Sequence, residues 1–459
     1  MLLKSKKLKM HPAQIIVIGF FLLILTGAIF LSLPFSSLPE HKVSFLDAFF
    51  TSTSAVCVTG LVVVDTGTTY TLFGQIVIVL LIQAGGLGVM TVTTMVFLLI
   101  GKRITLSERM ILRESLNEFE LSGMVKMILK VIQVTLFAEL AGAALLATRL
   151  VPMFGLRGVY YSLFHSISAF CNAGFDVFGQ EFSPYCSLAP FASDPVMVLT
   201  ISALIITGGL GFLVVSDIFS ISRIRARKPM SRYTRLVLAA TGLLLAVGMA
   251  AFFAAELGNE KTLGGLDTGG KILGGLFQSV TPRTAGYNTI DQNALLPVSK
   301  FMTIILMFIG ASPAGTGGGI KTTTAAIVSL FAAYGIIGRK DITLRERRIS
   351  PGTVQRATII TITSFVFVVA ACLALVSIEG HRGGMFTSEN LIYEVVSGFG
   401  TVGLTTGITP QLSAASRIVL IITMFVGRVG LTSLVISLAS RAGQNNTCIR
   451  YPEERIMVG

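Results

Sequence analysis

Two kinds of segment in this chain carry residues suited to holding ions. GASPAGTGGGIKTTT (310–324) crowds five glycines ahead of a Lys-Thr pair, as a loop does when its backbone N–H groups cradle a phosphate. Its candidate residues are Gly310, Pro313, Gly315, Gly317, Gly318, Gly319 and Lys321. The G-x-x-x-x-G-K-[ST] pattern needs glycine directly before the lysine, and here Ile320 stands there. The second kind is a set of tripeptides: Val58-Thr59-Gly60, Asn172-Ala173-Gly174, Thr284-Ala285-Gly286 and Thr401-Val402-Gly403. They hold few ionisable groups. A hydrolase would need a nucleophile with a base, or a metal, and neither recurs around them. Backbone does recur: glycine permits positive φ, so successive carbonyls can offer rings of oxygens to a dehydrated cation. Carbonyl dipoles without a carboxylate ring suit a weakly hydrated monovalent ion such as K+ better than Ca2+ or Mg2+.

The elements that must position these tripeptides repeat along the chain. Each glycine closes an aromatic, Ser/Thr-rich stretch: FLDAFFTSTSAVCVTGL (45–61), VYYSLFHSISAFCNAGF (159–175), ILGGLFQSVTPRTAGY (272–287) and LIYEVVSGFGTVGL (391–404). The glycines are spaced by 114, 112 and 117 residues. A long apolar span precedes each (14–33, 126–150, 234–256, 353–378), and a second follows (72–100, 193–220, 299–338, 414–440). The stretch between is too short and too polar to cross a bilayer, and such half-length segments persist at membrane depth only inside protein or along a water-filled cavity. This predicts an all-α integral membrane protein of four membrane–pore-loop–membrane repeats, with eight full spans and four half-length helices around one pore. The repeats run 1–115, 116–229, 230–345 (including the 310–325 loop) and 346–459.

Composition agrees with a membrane location. The chain is 53% hydrophobic and 13% charged, with mean hydropathy +0.79, far from the soluble-domain average of about a quarter charged. The N-terminal apolar run exceeds a signal peptide's and lacks its cleavage site, so it is expected to be an uncleaved first span after Lys4, Lys6, Lys7 and Lys9. The net charge of +13 is concentrated between apolar stretches, at Lys102/Arg103/Arg109/Arg113, Arg223/Arg225/Arg227/Lys228/Arg232/Arg235 and Arg339/Lys340/Arg345/Arg347/Arg348. That is the positive-inside distribution of cytoplasmic loops rather than a nucleic-acid surface, and it places both termini in the cytoplasm. The glycine segments then open outward, with Glu40, Asp47, Asp65, Asp176, Asp291 and Glu389 in the outer loops, either as an acidic vestibule or as ordinary solvated surface. Cys57, Cys171, Cys186, Cys372 and Cys448 form no metal or disulfide pattern.

VCVTGL, FCNAGF, TPRTAGYNT and GTVGLTTG resemble the four pore loops of the Ktr/Trk/HKT potassium transporters, and the resemblance covers nearly the whole chain. It is most similar to the bacterial Ktr membrane subunits. The resemblance implies K+ uptake across the bacterial plasma membrane, no enzymatic activity and no cofactor on this chain. It also implies a homodimer seated on a cytoplasmic RCK-type, KtrA-like ring that binds the nucleotide. Na+ would act as a coupled or an activating ion. The filter glycines would be Gly60, Gly174, Gly286 and Gly403; serine in the first place accompanies Na+ preference in some plant members, and all four are glycine here.

The second span of repeat three, Leu296–Gly338, would be about 60 Å long as one helix. Pro313 and five glycines in its middle make continuity improbable. The position matches the family's intramembrane gating loop, with Lys321 as a plug charge. Arg428, in TMFVGRVGLTSLV, matches the family's basic residue facing the pore; the alternative is an Arg that pins the loop through carbonyls. Arg283 is expected to brace pore-loop backbone. Two rivals remain: a broken-helix secondary cation symporter, and a membrane enzyme using 310–324 as a phosphate loop.

Overall fold

The computed structural model describes residues 12–88, 91–92, 124–219, 229–339, 341–344, 347–431 and 434. The lysines at 4, 6, 7 and 9, the basic cluster at 102–113, Arg223, Arg225, Arg227, Lys228, Lys340, Arg345 and Cys448 lie outside the described residues.

A long helix, a short helix and a second apolar helix recur in that order four times. The first group is α1 (Pro12–Leu31), α2 (Phe45–Cys57), the single turn α3 (Thr66–Thr69) and α4 (Leu72–Leu87). The second is α5 (Met124–Phe154), α6 (Leu156–Phe170), α7 (Pro195–Leu210) and α8 (Phe212–Ile218). The third is α9 (Arg232–Glu256), α10 (Thr268–Val280), α11 (Pro297–Phe308) and α12 (Thr322–Ile336). The fourth is α13 (Pro351–Glu379), α14 (Ser388–Gly400) and α15 (Ala414–Val429). A two-residue hairpin, β1 (Thr343–Leu344) with β2 (Arg347–Arg348), joins the third group to the fourth.

Helix starts follow local chemistry. Asp194 accepts from the N–H groups of Val196 and Met197 ahead of Pro195, and Ser350 caps α13 ahead of Pro351. Two buried carboxylates tie helix ends within a group together. Glu256 at the end of α9 accepts the Leu296 N–H at 2.9 Å, and Glu379 at the end of α13 accepts the Ser413 N–H at 2.8 Å. Each thereby fixes where the second apolar helix of its group, α11 or α15, begins.

The short helices α2, α6, α10 and α14 are 13, 15, 13 and 13 residues long, about 20 Å and too short to cross a bilayer. They are largely buried. Four described helices are long and apolar enough to cross, Ala13–Leu31, Ile128–Phe154, Arg232–Glu256 and Pro351–Glu379, and a fifth span results if α7 and α8 are joined. This makes the chain a multi-pass membrane protein.

The second helices differ from expectation. Unbroken spans were expected over 72–100, 193–220 and 414–440, with one break in the third group. Instead α4, α7 and α15 end at Gly88, Gly211 and Gly430, with φ of 85°, 91° and 85°. Across Gly211 the axis turns by 104°. Positive φ at glycine ends a helix without steric cost, so α4, α7 and α15 stop there, and among the described residues a long loop follows the stop of a second helix only in the third group.

Candidate functional site

The first and fourth tripeptides follow directly on the C-termini of α2 and α14, whereas Cys171 separates the second from α6 and Thr281, Pro282 and Arg283 separate the third from α10. Val58, Asn172, Thr284 and Thr401 have φ of 58°, 60°, 70° and 49°, and Gly60, Gly174, Gly286 and Gly403 have φ of 91°, 68°, 81° and 90°. The middle residues, Thr59, Ala173, Ala285 and Val402, are not left-handed. Left-handed backbone at every other residue turns successive carbonyls to the same side. Four bulkier residues in the left-handed region is a cost, of order 1 kcal/mol or more each, met only where the surroundings impose it.

The segments close a ring in chain order. A Cβ added to Gly60 would meet the Ala173 carbonyl, one on Gly174 the Ala285 carbonyl, one on Gly286 the Val402 carbonyl, and one on Gly403 the Thr59 carbonyl. All four glycines therefore pack against a neighbour's backbone. No side chain fits at any of them without moving the next segment.

The short helices hold the outer side of the ring. The N–H groups of Thr59, Ala173 and Val402 donate to the carbonyls of Ser54, Ser168 and Ser397, each six residues before its glycine. The same serine hydroxyls accept from Gly60 N at 3.0 Å, Phe175 N at 3.1 Å and Gly403 N at 3.1 Å. With the N–H groups bound outward, the carbonyls are free to face in. The C-terminal ends of four helix dipoles add partial negative charge beside them. These serines were missed in the sequence, although their constant distance from the glycine was visible there.

The leaving strand of the fourth segment has its own anchor. Buried Glu394 on α14 accepts from Thr405 Oγ1 at 2.6 Å, Thr406 N at 3.0 Å and Thr409 Oγ1 at 2.7 Å. In the loop leaving the second segment, burial and nearby Asp65 push the Asp176 carboxyl up to about 7. Among the outer carboxylates predicted from sequence, Asp47 pairs with Arg417 and Asp65 caps α3. Those two serve structure.

The 310–324 loop lies against the other side of the ring. Gly318 N donates to Thr401 Oγ1 at 2.8 Å, and Gly317 has no room for a Cβ beside Thr284. Thr284 itself is hydrogen-bonded to the Asn172 amide at 3.0 Å. The loop also reaches the broken ends of neighbouring helices. Ser312 N and Thr316 N donate to the carbonyls of Gly209 and Gly208, and Gly319 N to that of Gly427. Gly310 N pairs with the Ile320 carbonyl at 2.8 Å, pinching the loop's two ends together, while Pro313 offers its carbonyl to Tyr233. A phosphate cradle needs free N–H groups and a free lysine. Here the N–H groups of Gly315, Thr316, Gly318, Gly319 and Thr322 are committed, and Lys321 Nζ donates to its own loop's Gly317 carbonyl at 2.7 Å.

Arg428 also holds this loop. Its guanidinium donates to the Thr316 carbonyl on one side and to the Gly85 and Gly86 carbonyls of α4 on the other. The expectation of a side chain presented to the ion path is thus qualified: in this state the charge clamps the loop to α4. Arg283 departs further from expectation. Its guanidinium reaches Thr241 on α9, at 3.4 Å, rather than pore-loop backbone.

Sequence motifs for the helix breaks were also legible and missed. GGLG occurs at 85–88 and again at 208–211, and GRVG at 427–430. The first glycine of each packs against the last-turn carbonyl of its short helix, Val56, Phe170 or Phe399.

Comparison with known proteins decides the family. The model for TrkH, a cation transport protein, matches residues 3–447. The chain belongs to this cation transport family. It is similar to the Ktr system potassium uptake protein B of Bacillus subtilis, 39% identical over 99% of this chain and 98% of that one. It is 37% identical to the potassium/sodium uptake protein NtpJ of Enterococcus hirae, over 99% of each. The crystal structure of the potassium transporter TrkH from Vibrio parahaemolyticus shares the fold, with a TM-score of 0.70 at 18% identity, covering 94% of this chain and 86% of that one. The family's members are transporters, so neither an enzyme nor a phosphate-loop chemistry is called for.

Proposed function

We propose that this chain carries K+ into a bacterial cell through a channel-like pore whose filter is the ring of four glycine segments. The observation that carries this is the closure of the ring, each glycine against its neighbour's carbonyl, with left-handed backbone at alternate residues. About 20 Å of helix dipole behind each segment would favour a cation at the centre, and inward carbonyls replace its hydration shell. The four groups of helices act as four repeats around one pore, bounded at 115, 229 and 345. Both termini lie on the cytoplasmic face, as the basic linkers between groups suggest.

The 310–324 loop acts as the gate. It sits directly against Thr401 and Thr284 of the filter and is clamped by Arg428, so the arrangement described is the closed one. A homodimer on a nucleotide-binding RCK-type ring would open it by pulling α12. The names of two relatives, a Ktr-system potassium uptake protein and a potassium/sodium uptake protein, support K+ as cargo with Na+ as a second ion.

The test is K+ uptake in a transport-deficient bacterial strain expressing this chain, with and without a ring subunit and with Na+ varied. Restored growth at low K+ that strengthens with the ring is expected. Absence of K+ uptake under every combination, with the chain in the membrane, would overturn the proposal.

A further inference from the structure

The third glycine segment is built differently from the other three. Six residues before its glycine stands Val280, where the others have Ser54, Ser168 and Ser397. Its Ala285 N–H donates to the Thr281 carbonyl, four residues back rather than five, and the Thr281 hydroxyl donates to the Tyr287 carbonyl as the Ser168 hydroxyl does to that of Phe175. Three residues before the glycine the same segment carries Arg283, where the others have Cys57, Cys171 and Gly400. A hydroxyl moved by one residue and an added cation fall within a single turn.

Arg283 is 8% exposed, and among the described residues no carboxylate pairs with it. Its Nη2 reaches Thr241 Oγ1 only at 3.4 Å, and its Nε has no partner. Arg283, Thr241 and Val280 line a cavity of about 10 Å3, walled by Ile205, Leu245 and Ala311. A dehydrated guanidinium costs several kcal/mol, and an orphaned buried donor about 1–3. Such an orphan points to a water or ion in contact with it. Volume decides between them: a water needs roughly 10–15 Å3, and a halide or a phosphate needs more.

We infer that Arg283 and Thr241 hold one buried water in this cavity. The Arg283–water–Thr241 bridge ties the third segment to α9. Arg283 is then a positioning residue for the carbonyls of Thr284 and Ala285. The inference rests on the ring being the ion filter.

The test compares K+ and Na+ uptake in wild type, Arg283→Met, Thr241→Val and the double variant, with Gly286→Ser run alongside. Each single variant lowers the K+/Na+ uptake ratio at least about threefold, as one hydrogen bond of order 1 kcal/mol implies. The double variant falls no further than the worse single one, because the two groups act through one bridge. A high-resolution structure shows one water between Nε and Thr241 Oγ1. A wild-type ratio in both single variants, with Gly286→Ser impaired, overturns the bridge and leaves the filter standing. An unchanged ratio in Gly286→Ser overturns the filter itself.

Discussion

The glycine ring and the loop beneath it touch, yet they are held by opposite means. The ring is locked by shape: a Cβ at any of its glycines strikes the next segment's backbone, and eight left-handed residues must be imposed together. The loop is held by separable hydrogen bonds, from Gly318 N to Thr401, from Lys321 to Gly317 and from Arg428 to Thr316. Such bonds are worth about 0.5–3 kcal/mol each and can be released one at a time. A part that discriminates must not give, and a part that opens must. The contrast predicts that changes in the ring alter which ion passes, and changes in the loop alter how much.

The largest effect is expected where shape is violated. Gly403→Ala places a methyl against the Thr59 carbonyl at a φ of +90°, and backbone cost plus collision removes at least about tenfold of the K+/Na+ uptake ratio. Membrane levels measured on the same cells separate this from loss of protein. Next comes release of the loop. Deleting 314–319 raises K+ flux and weakens its dependence on the ring subunit, while the ion ratio stays near that of wild type.

Arg428→Ala should act in the same direction and less strongly. It removes charge-assisted bonds to Thr316 and to α4, worth about 1.5–3 kcal/mol, and isotopic K+ uptake without the ring subunit should rise about tenfold. If flux instead falls and the ion ratio shifts, the charge acts on the ion rather than on the loop.

The smallest effect concerns Asp176, whose carboxyl is pushed up to about 7 by burial and by Asp65. Protonated below that value, it leaves the outer mouth less negative; ionised above it, it raises local cation concentration. The K+ concentration for half-maximal uptake should therefore fall about twofold as external pH rises from 6 to 8, and Asp176→Asn should abolish this dependence. Stability runs the other way: a carboxyl raised in the folded state favours folding at low pH, and that gain is lost as pH rises through about 7.

Much of this contrast could be read from the sequence because it is written in glycine and in period. Gly60, Gly174, Gly286 and Gly403 stand at near-even spacing, and the break at 310–319 follows from helix length and Pro313. What escaped was relational. That Arg428 reaches α4 across some 340 residues of chain depends on packing no local pattern encodes. Gly88, Gly211 and Gly430 each look like one tolerable glycine in an apolar run, and their breaks appear only once the backbone turns left-handed there. Arg283 beside a strand suggests a brace to that strand, but the nearest acceptor proved to be Thr241 on another helix.

The central claim is that the ring selects and the loop gates. It is tested most directly by ion flux into liposomes holding the purified chain, wild type, loop-deleted (314–319) and loop-deleted with Gly286→Ser. Loop deletion should raise K+ flux with preference over Na+ retained, and Gly286→Ser should collapse the preference in that open background. Equal K+/Na+ ratios in the two deleted forms, or no gain in flux on deletion, would contradict the account.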